Sequence, residues 1–212
     1  CDRTEVSKVF IEEKPASSRS GSLQLREREY FASVSGWLPD NFTFCKKGEI
    51  NNPRMEEEIR REKPDIMFVF GSSLLKENIF SIPNRGCINI HTGLVQHYRG
   101  VDSSFWALHD DRPDRIGVTV HFIDKSIDAG DIILQARPCN LSTTDDLEDV
   151  FLKNCICGFD LVCNNLGDLL GGDVKTTRLS NRGTLYQMKD KTPAKIREVE
   201  KKLNKVLGDY CG

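Results

Sequence analysis

The sequence predicts an α/β fold with a mostly parallel sheet flanked by helices, and three observations lead there. Residues 66–70 are a short, continuous apolar run between Pro64 and Gly71, the composition of a strand buried on both faces. A short helix over 73–80 and a second apolar strand over 87–90 follow, and strand, helix, strand in that rhythm builds parallel sheets. Between 144 and 170, Leu147, Phe151, Cys155, Phe159, Val162, Leu166 and Leu170 recur at intervals of three or four, the mark of a long helix packed on the sheet.

The remaining elements follow in chain order. Residues 6–11 read as an apolar-rich strand, 15–22 as a Ser-rich loop and 23–34 as a charged helix. Asn52 and Pro53 supply an N-cap and a first helical residue, Met55 and Ile59 give one apolar face, and that helix ends near Lys63. Residues 102–109 are helical, 117–123 alternate as a strand, and 132–136 are its hairpin partner across the 124–131 loop, which makes one side of the sheet mixed. Gly171-Gly172 ends the long helix. A last helix starts at Thr192-Pro193, shows Ile196, Val199, Leu203 and Leu207 on one face, stops at Gly208, and carries its lysines on a solvated face.

The 212 residues suit one large core or one domain with a small appendage. A formal charge of -2 with both signs intermixed gives no basic field for nucleic acid. The apolar runs fall far short of a bilayer span and no signal segment is visible, so the chain is expected to be soluble, intracellular and cytoplasmic, with no membrane partner. Eight cysteines are scattered without metal-knuckle spacing, which reads as reduced thiols and no metal site. Asn41-Phe42-Thr43 and Asn140-Leu141-Ser142 match the glycosylation sequon and are discounted, since no secretion signal accompanies them. The chain opens at Cys1, without Met, and enters almost at once into a strand, as if inside a domain.

The candidate chemistry sits in Gly86-Cys87-Ile88-Asn89-Ile90-His91, followed by Tyr98-Arg99-Gly100 and by Ile127-Asp128-Ala129-Gly130-Asp131. In a strand, residues two apart face the same side, so Asn89 and His91 project together. An amide donor, an imidazole and a carboxylate at Asp128 can stabilise an oxyanion and move a proton, which acyl-type transfer requires. By residue type alone Asn89 would be a strand-end cap, His91 a satisfied buried histidine and Asp128 a turn residue. His121 reads equally as a structural or a functional residue, Arg99 as a contact for an acidic group on the substrate or, in preference, a brace for its loop, and His97 and His109 as surface residues.

Together with Gly117-Val118-Thr119-Val120-His121-Phe122, these four ordered motifs resemble the formyltransferase superfamily over roughly 50–170. The resemblance implies a Rossmann-like fold, N10-formyltetrahydrofolate as donor, and catalytic roles for Asn89, His91 and Asp128. It further implies that the 123–128 loop, with Ile123, Asp124 and Ile127, holds the pterin largely through backbone groups, with Leu75 in the apolar wall. His91, made more basic by Asp128, would be a charged donor. On this reading residues 1–175 form the catalytic domain and 176–212 a short C-terminal extension with a helix. Where the family often reads His-Pro-Ser-Leu-Leu-Pro, this chain has His91-Thr92-Gly93-Leu94-Val95-Gln96, a less rigid loop. The family's first strand and its glycine-containing turn have no counterpart after Cys1, which bears on acceptor binding.

The expected function is formyl transfer to a primary amine of a small metabolite, a nucleotide-linked amino sugar being favoured. Residues 183–193 resemble a segment that follows the core in sugar formyltransferases, and too little chain remains for the barrel domain that methionyl-tRNA formyltransferases add. The alternatives are a formyltetrahydrofolate hydrolase and a non-catalytic folate-binding module. A homodimer is left open.

Overall fold

The computed structural model describes residues 5–13, 41–172 and 174–211, so the expected loop at 15–22 and helix at 23–34 lie outside the described residues. The chain divides into two units, one made of residues up to 67 with 72–86 and the other of 68–71 with 87 onward.

In the first unit, β1 (Val9–Glu13) lies parallel to β2 (Phe42–Lys46), three residues later than the strand expected at 6–11. The Asn52 side chain accepts the Met55 N–H at 2.9 Å and starts α1 (Pro53–Glu62), which ends at Lys63 in the left-handed conformation. Its Met55 and Ile59 are buried with Cys45, Ile50, Leu75 and Ile79. On the other side of α1, Glu58 accepts from Lys8 and from Thr43, each at 2.6 Å.

After β3 (Met67–Val69), the helix expected over 73–80 shrinks to α2 (Glu77–Phe80). Residues 73–76 cannot join it because their backbone groups are engaged elsewhere. Ser73 donates to Glu12 Oε2 at 2.7 Å, Asn51 Nδ2 donates to the Leu74 carbonyl at 3.0 Å, and Lys76 N–H donates to Asn51 Oδ1 at 2.7 Å.

The larger unit continues through β4 (Cys87–His91), β5 (Tyr98–Gly100), α3 (Ser103–His109), β6 (Val118–Phe122) and β7 (Ile132–Ala136). The four-stranded sheet has the order β3-β4-β6-β7, and both β4–β6 and β6–β7 are antiparallel. The expectation of a mostly parallel sheet is therefore corrected. The loop joining β6 to β7 is too short for the crossover that a parallel pair needs. Two small sheets pair in parallel, β1 with β2 and β5 with β8 (Thr184–Tyr186). Burial of 66–70 on both faces is corrected as well: Phe68 and Phe70 are 37% and 38% exposed, and among the described residues β3 ends the strand order, with a sheet neighbour on one side.

A capping box between Asp146 and Asp149 starts α4 (Leu147–Asn164), later than the expected 144. The predicted single helix breaks at Asn165, whose side chain takes the Leu161 carbonyl at 2.8 Å, and resumes as α5 (Leu166–Gly171) before Gly172 in the left-handed region. The buried row of α4 is Val150, Asn154, Gly158 and Val162. A Cβ on Gly158 would stand 2.9 Å from Ile90 and 3.0 Å from Val118, so glycine lets the helix press on the sheet.

The final helix, α6 (Pro193–Cys211), runs through Gly208 rather than stopping there. Val206 and Leu207 are buried just before it, and their packing outweighs the ~1 kcal/mol that a helical glycine costs. Residues Val199, Leu203, Val206 and Leu207 join Tyr98, Phe105, Trp106, Leu108, Ile116 and Val150 in one core cluster. Trp106 is fully buried and stacks on Tyr186 at 3.9 Å between centroids. The lysines are not simply a solvated face, since Lys195 lies 4.9 Å over the Trp106 ring and Lys202 pairs with Asp111 at 2.9 Å.

Cys45, Cys87, Cys139, Cys155, Cys157 and Cys163 are free thiols, and burial pushes Cys87 up to about 12. Among the described residues no helix is long and apolar enough to cross a membrane, and no cluster of His, Cys, Asp and Glu could hold a metal ion.

Leu207→Ala should lower the unfolding free energy by about 2–5 kcal/mol through loss of buried side chain and the cavity left behind. Lys205→Ala, at an exposed position of the same helix, should stay within about 0.5 kcal/mol. Urea denaturation of both variants checks the contrast.

Candidate active site

The pairing of β4 with β6 fixes the centre. Asn89 stands opposite His121 and His91 opposite Thr119, so the period of two puts all four on one face. The third contribution comes from the β6–β7 loop, which delivers Asp128 with φ 46, a left-handed backbone uncommon for a residue other than glycine.

Asn89 Nδ2 lies 3.3 Å from Asp128 Oδ1, to which it donates, and 3.2 Å from His121 Nε2. His121 Nδ1 is 2.8 Å from the Phe122 carbonyl, so the proton of its neutral ring belongs on Nδ1 and Nε2 accepts from Asn89. The Gly100 N–H donates to Asp128 Oδ2 at 2.8 Å, the shortest hydrogen bond to this carboxylate. His91 Nδ1 is 3.5 Å from Asp128 Oδ2, while its Nε2 meets the Tyr98 carbonyl at 3.3 Å and Ser103 Oγ at 3.2 Å. A Cβ on Gly93 would fall 2.5 Å from His91 Nε2 and from Ser103, so glycine there lets the turn close onto the ring.

That turn is held from below. Thr119 Oγ1 donates to the Gly93 carbonyl at 2.6 Å and accepts from Gln135 at 2.8 Å, and Gln135 in turn meets Gln96. From α4, the buried Asn154 donates to the Thr92 and Gly117 carbonyls at 3.2 and 2.9 Å. The loop that looked less rigid without prolines is thus tied by side chains.

Burial governs the charges. Burial of His91 lowers its pKa, outweighing the raising effect of Asp128, and His121 adds to the lowering. The expected charged donor is corrected: in the neutral range His91 is a neutral imidazole. For Asp128, burial works upward, but His91, His121 and the Gly100 N–H outweigh it and hold the carboxyl down at about 2. The site therefore holds one fixed carboxylate beside two imidazoles. Such a site can donate hydrogen bonds to a developing oxyanion and favour positive charge on an attacking nitrogen.

The structure brings Asn89, His91 and Asp128 together as expected, and adds His121 to them. Ile123 and Ile127 are half-buried on the loop before Asp128, and Asp124 is exposed, its carboxylate accepting the Ser126 N–H at 2.7 Å. Two backbone groups of this loop are already engaged, with Ile123 N–H donating to the Cys87 carbonyl at 2.8 Å and the Ile127 carbonyl accepting from Arg99 at 3.0 Å. Half-buried apolar side chains beside a polar triad suit a flat heterocycle with a hydrogen-bonding edge. Leu75 belongs to the first unit, where it is buried. His97 and His109 are half-buried rather than surface residues, His97 against Tyr98 and His109 against Trp106. Sequence reasoning missed Ser103 and the Gly100 N–H. The Tyr98-Arg99-Gly100 motif flagged the latter's neighbourhood, whereas nothing local pointed to Ser103.

The formyl transferase family profile matches residues 5–153. A methionyl-tRNA formyltransferase of Clostridium beijerinckii is 33% identical over 144 residues, covering 66% of this chain and 45% of its own length. The chain spans about half the length of the curated relatives it matches. Among solved structures, a sugar N-formyltransferase from a Shewanella species superposes with a TM-score of 0.60 at 16% identity, over 86% of this chain and 77% of its own. A formyltransferase from Anoxybacillus kamchatkensis, solved with UDP-4,6-dideoxy-4-formamido-L-AltNAc and tetrahydrofolate, gives 0.57 at 19% identity, over 86% and 87%. At these identities the structural likeness concerns the fold.

Because the Asp128 carboxyl titrates lower in the folded chain than in the unfolded one, its stabilisation is complete above pH ~4 and is lost as pH falls toward 2. That difference corresponds to roughly 2 kcal/mol. Urea unfolding of wild type and Asp128→Asn should therefore differ most near neutrality, with the gap closing by pH 2. His91 acts in the same direction at higher pH, since its lowered pKa makes stability fall as the unfolded chain takes up its proton below pH ~6.5.

Proposed function

The chain belongs to the formyl transferase family, and on that premise we propose that it moves a formyl group from N10-formyltetrahydrofolate to a primary amine, the amine of a nucleotide-linked amino sugar. The observation that carries this reading is the convergence of Asn89, His91 and Asp128 within hydrogen-bonding or ion-pairing distance. The donor supplies the activated one-carbon group, and the residues of the chain supply orientation, charge and proton handling.

As the amine attacks the formyl carbon, the carbonyl oxygen becomes anionic and the nitrogen cationic. Asn89 swings or shares one of its Nδ2 hydrogens, now turned to Asp128 and His121, toward the oxyanion. Negative charge growing beside the neutral His91 raises its affinity for a proton, so the imidazole becomes a donor when one is needed. Held at about 2, Asp128 is a weak base but a constant anion. It faces the positive charge on the nitrogen and accepts its proton, directly or through one water, and that proton passes on to the folate nitrogen as its bond to the formyl carbon breaks.

The nucleotide-sugar acceptor is supported by the solved structures of similar fold and by the absence of a net basic charge, which is -2 overall. The curated sequence relatives are methionyl-tRNA formyltransferases, so the amine of an aminoacyl-tRNA is the second acceptor to test.

Incubating the protein with the formyl donor and either nucleotide-linked amino sugars or methionyl-tRNA, with products read by mass spectrometry, separates the two acceptors. Formate release at the same rate with and without any amine would instead identify a hydrolase, and folate-analogue binding without turnover a binding module. In the active assay Asn89→Ala should lower kcat by about 10²–10³, the cost of one oxyanion donor. His91→Ala and Asp128→Ala should abolish transfer while circular dichroism stays that of the wild type.

A further inference from the structure

Asp128 is held in a left-handed backbone at φ 46, a conformation that persists where the surroundings fix it. Two consecutive residues of β5 do so. The Gly100 N–H grips the carboxylate itself at 2.8 Å. The side chain of Arg99 grips the peptide before it, Nη1 donating to the Ile127 carbonyl at 3.0 Å. The same guanidinium reaches the other way, Nε donating to the Gly183 carbonyl at 2.9 Å.

Gly183 directly precedes β8, whose residues pair in parallel with β5, Arg99 opposite Leu185 and Gly100 opposite Tyr186. Arg99 therefore joins three segments distant in sequence: the strand that binds the carboxylate, the loop that carries it, and a strand outside the stretch matched by the family profile. Its two acceptors are met by two different nitrogens held in one rigid plane, a fixed spacing that the single nitrogen of a lysine does not reproduce.

We infer that Arg99 is a positioning residue for Asp128, and that residues 183–186 are through it a working part of the site. The inference rests on the reading of Asp128 as the carboxylate of formyl transfer. Without Arg99, the Ile127 carbonyl loses its anchor, the loop relaxes, and the carboxylate drifts from the Gly100 N–H and the two imidazoles.

The test compares Arg99→Ala and Arg99→Lys with wild type in two measurements. In the first, the Asp128 carboxyl is titrated by carbon NMR, its signal assigned through Asp128→Asn. Its midpoint should move up from about 2 toward the ordinary aspartate range in both variants. In the second, formyl transfer should lose about ten- to a hundredfold in kcat, the scale of a catalytic group misplaced by about an ångström, while KM for the formyl donor stays within about twofold. Added guanidinium should restore part of the kcat of Arg99→Ala. A wild-type titration midpoint in a folded variant overturns the inference, and Arg99→Lys decides it if Arg99→Ala does not fold. The titration needs no turnover, so failure to find formyl transfer would count against the proposed activity and leave the positioning role to be judged by the carboxyl midpoint.

Discussion

Burying a carboxylate costs several kcal/mol unless hydrogen bonds and neighbouring positive charge replace its water. Asp128, with a side chain only 13% exposed, meets that constraint with hydrogen bonds from a backbone N–H of β5 and an amide of β4, while two imidazoles stand 3.5 and 3.6 Å away. These partners arrive from three strands, β4, β5 and β6. The carboxylate thus demands that β4, β5 and β6 be in register around one loop, and the antiparallel pairing of β4 with β6 and the side-chain ties of the 92–97 turn serve that demand.

The same burial sets the chemistry. A solvent-exposed histidine beside an aspartate would be charged near neutrality, yet the packing of Gly93 and Ser103 against the His91 ring keeps water out and leaves the ring neutral. Beside that ring Asp128 carries a fixed negative charge.

Features that depend on a few adjacent residues were legible in the sequence. The Asn52-Pro53 cap, the β6–β7 hairpin and the shared face of Asn89 and His91 all follow from local stereochemistry, and each is present. Features decided by remote packing were not. Asn165 breaks the long helix by taking a carbonyl of its own preceding turn, and α6 passes Gly208 because buried neighbours outweigh its propensity. Phe68 and Phe70 are exposed, and among the described residues β3 ends the strand order, a place that an apolar run does not encode. In the candidate site, the identities of Asn89, His91 and Asp128 could be read, whereas the neutrality of His91 and the grip of the Gly100 N–H required the fold.

The pairing of β5 with β8 also has a temporal meaning. Tyr98 meets Thr184, so the strand that supplies the Gly100 N–H gains its neighbour only when a stretch of more than eighty residues has closed into a loop. Closing so long a loop costs only slightly more entropy than a shorter one, but contacts of such separation form late on a folding pathway. On a ribosome, β4, β6 and the loop bearing Asp128 emerge well before β8 does. The strand that grips the carboxylate thus gains its pairing partner only after the loop that bears the carboxylate and both strands that bear the imidazoles have been made.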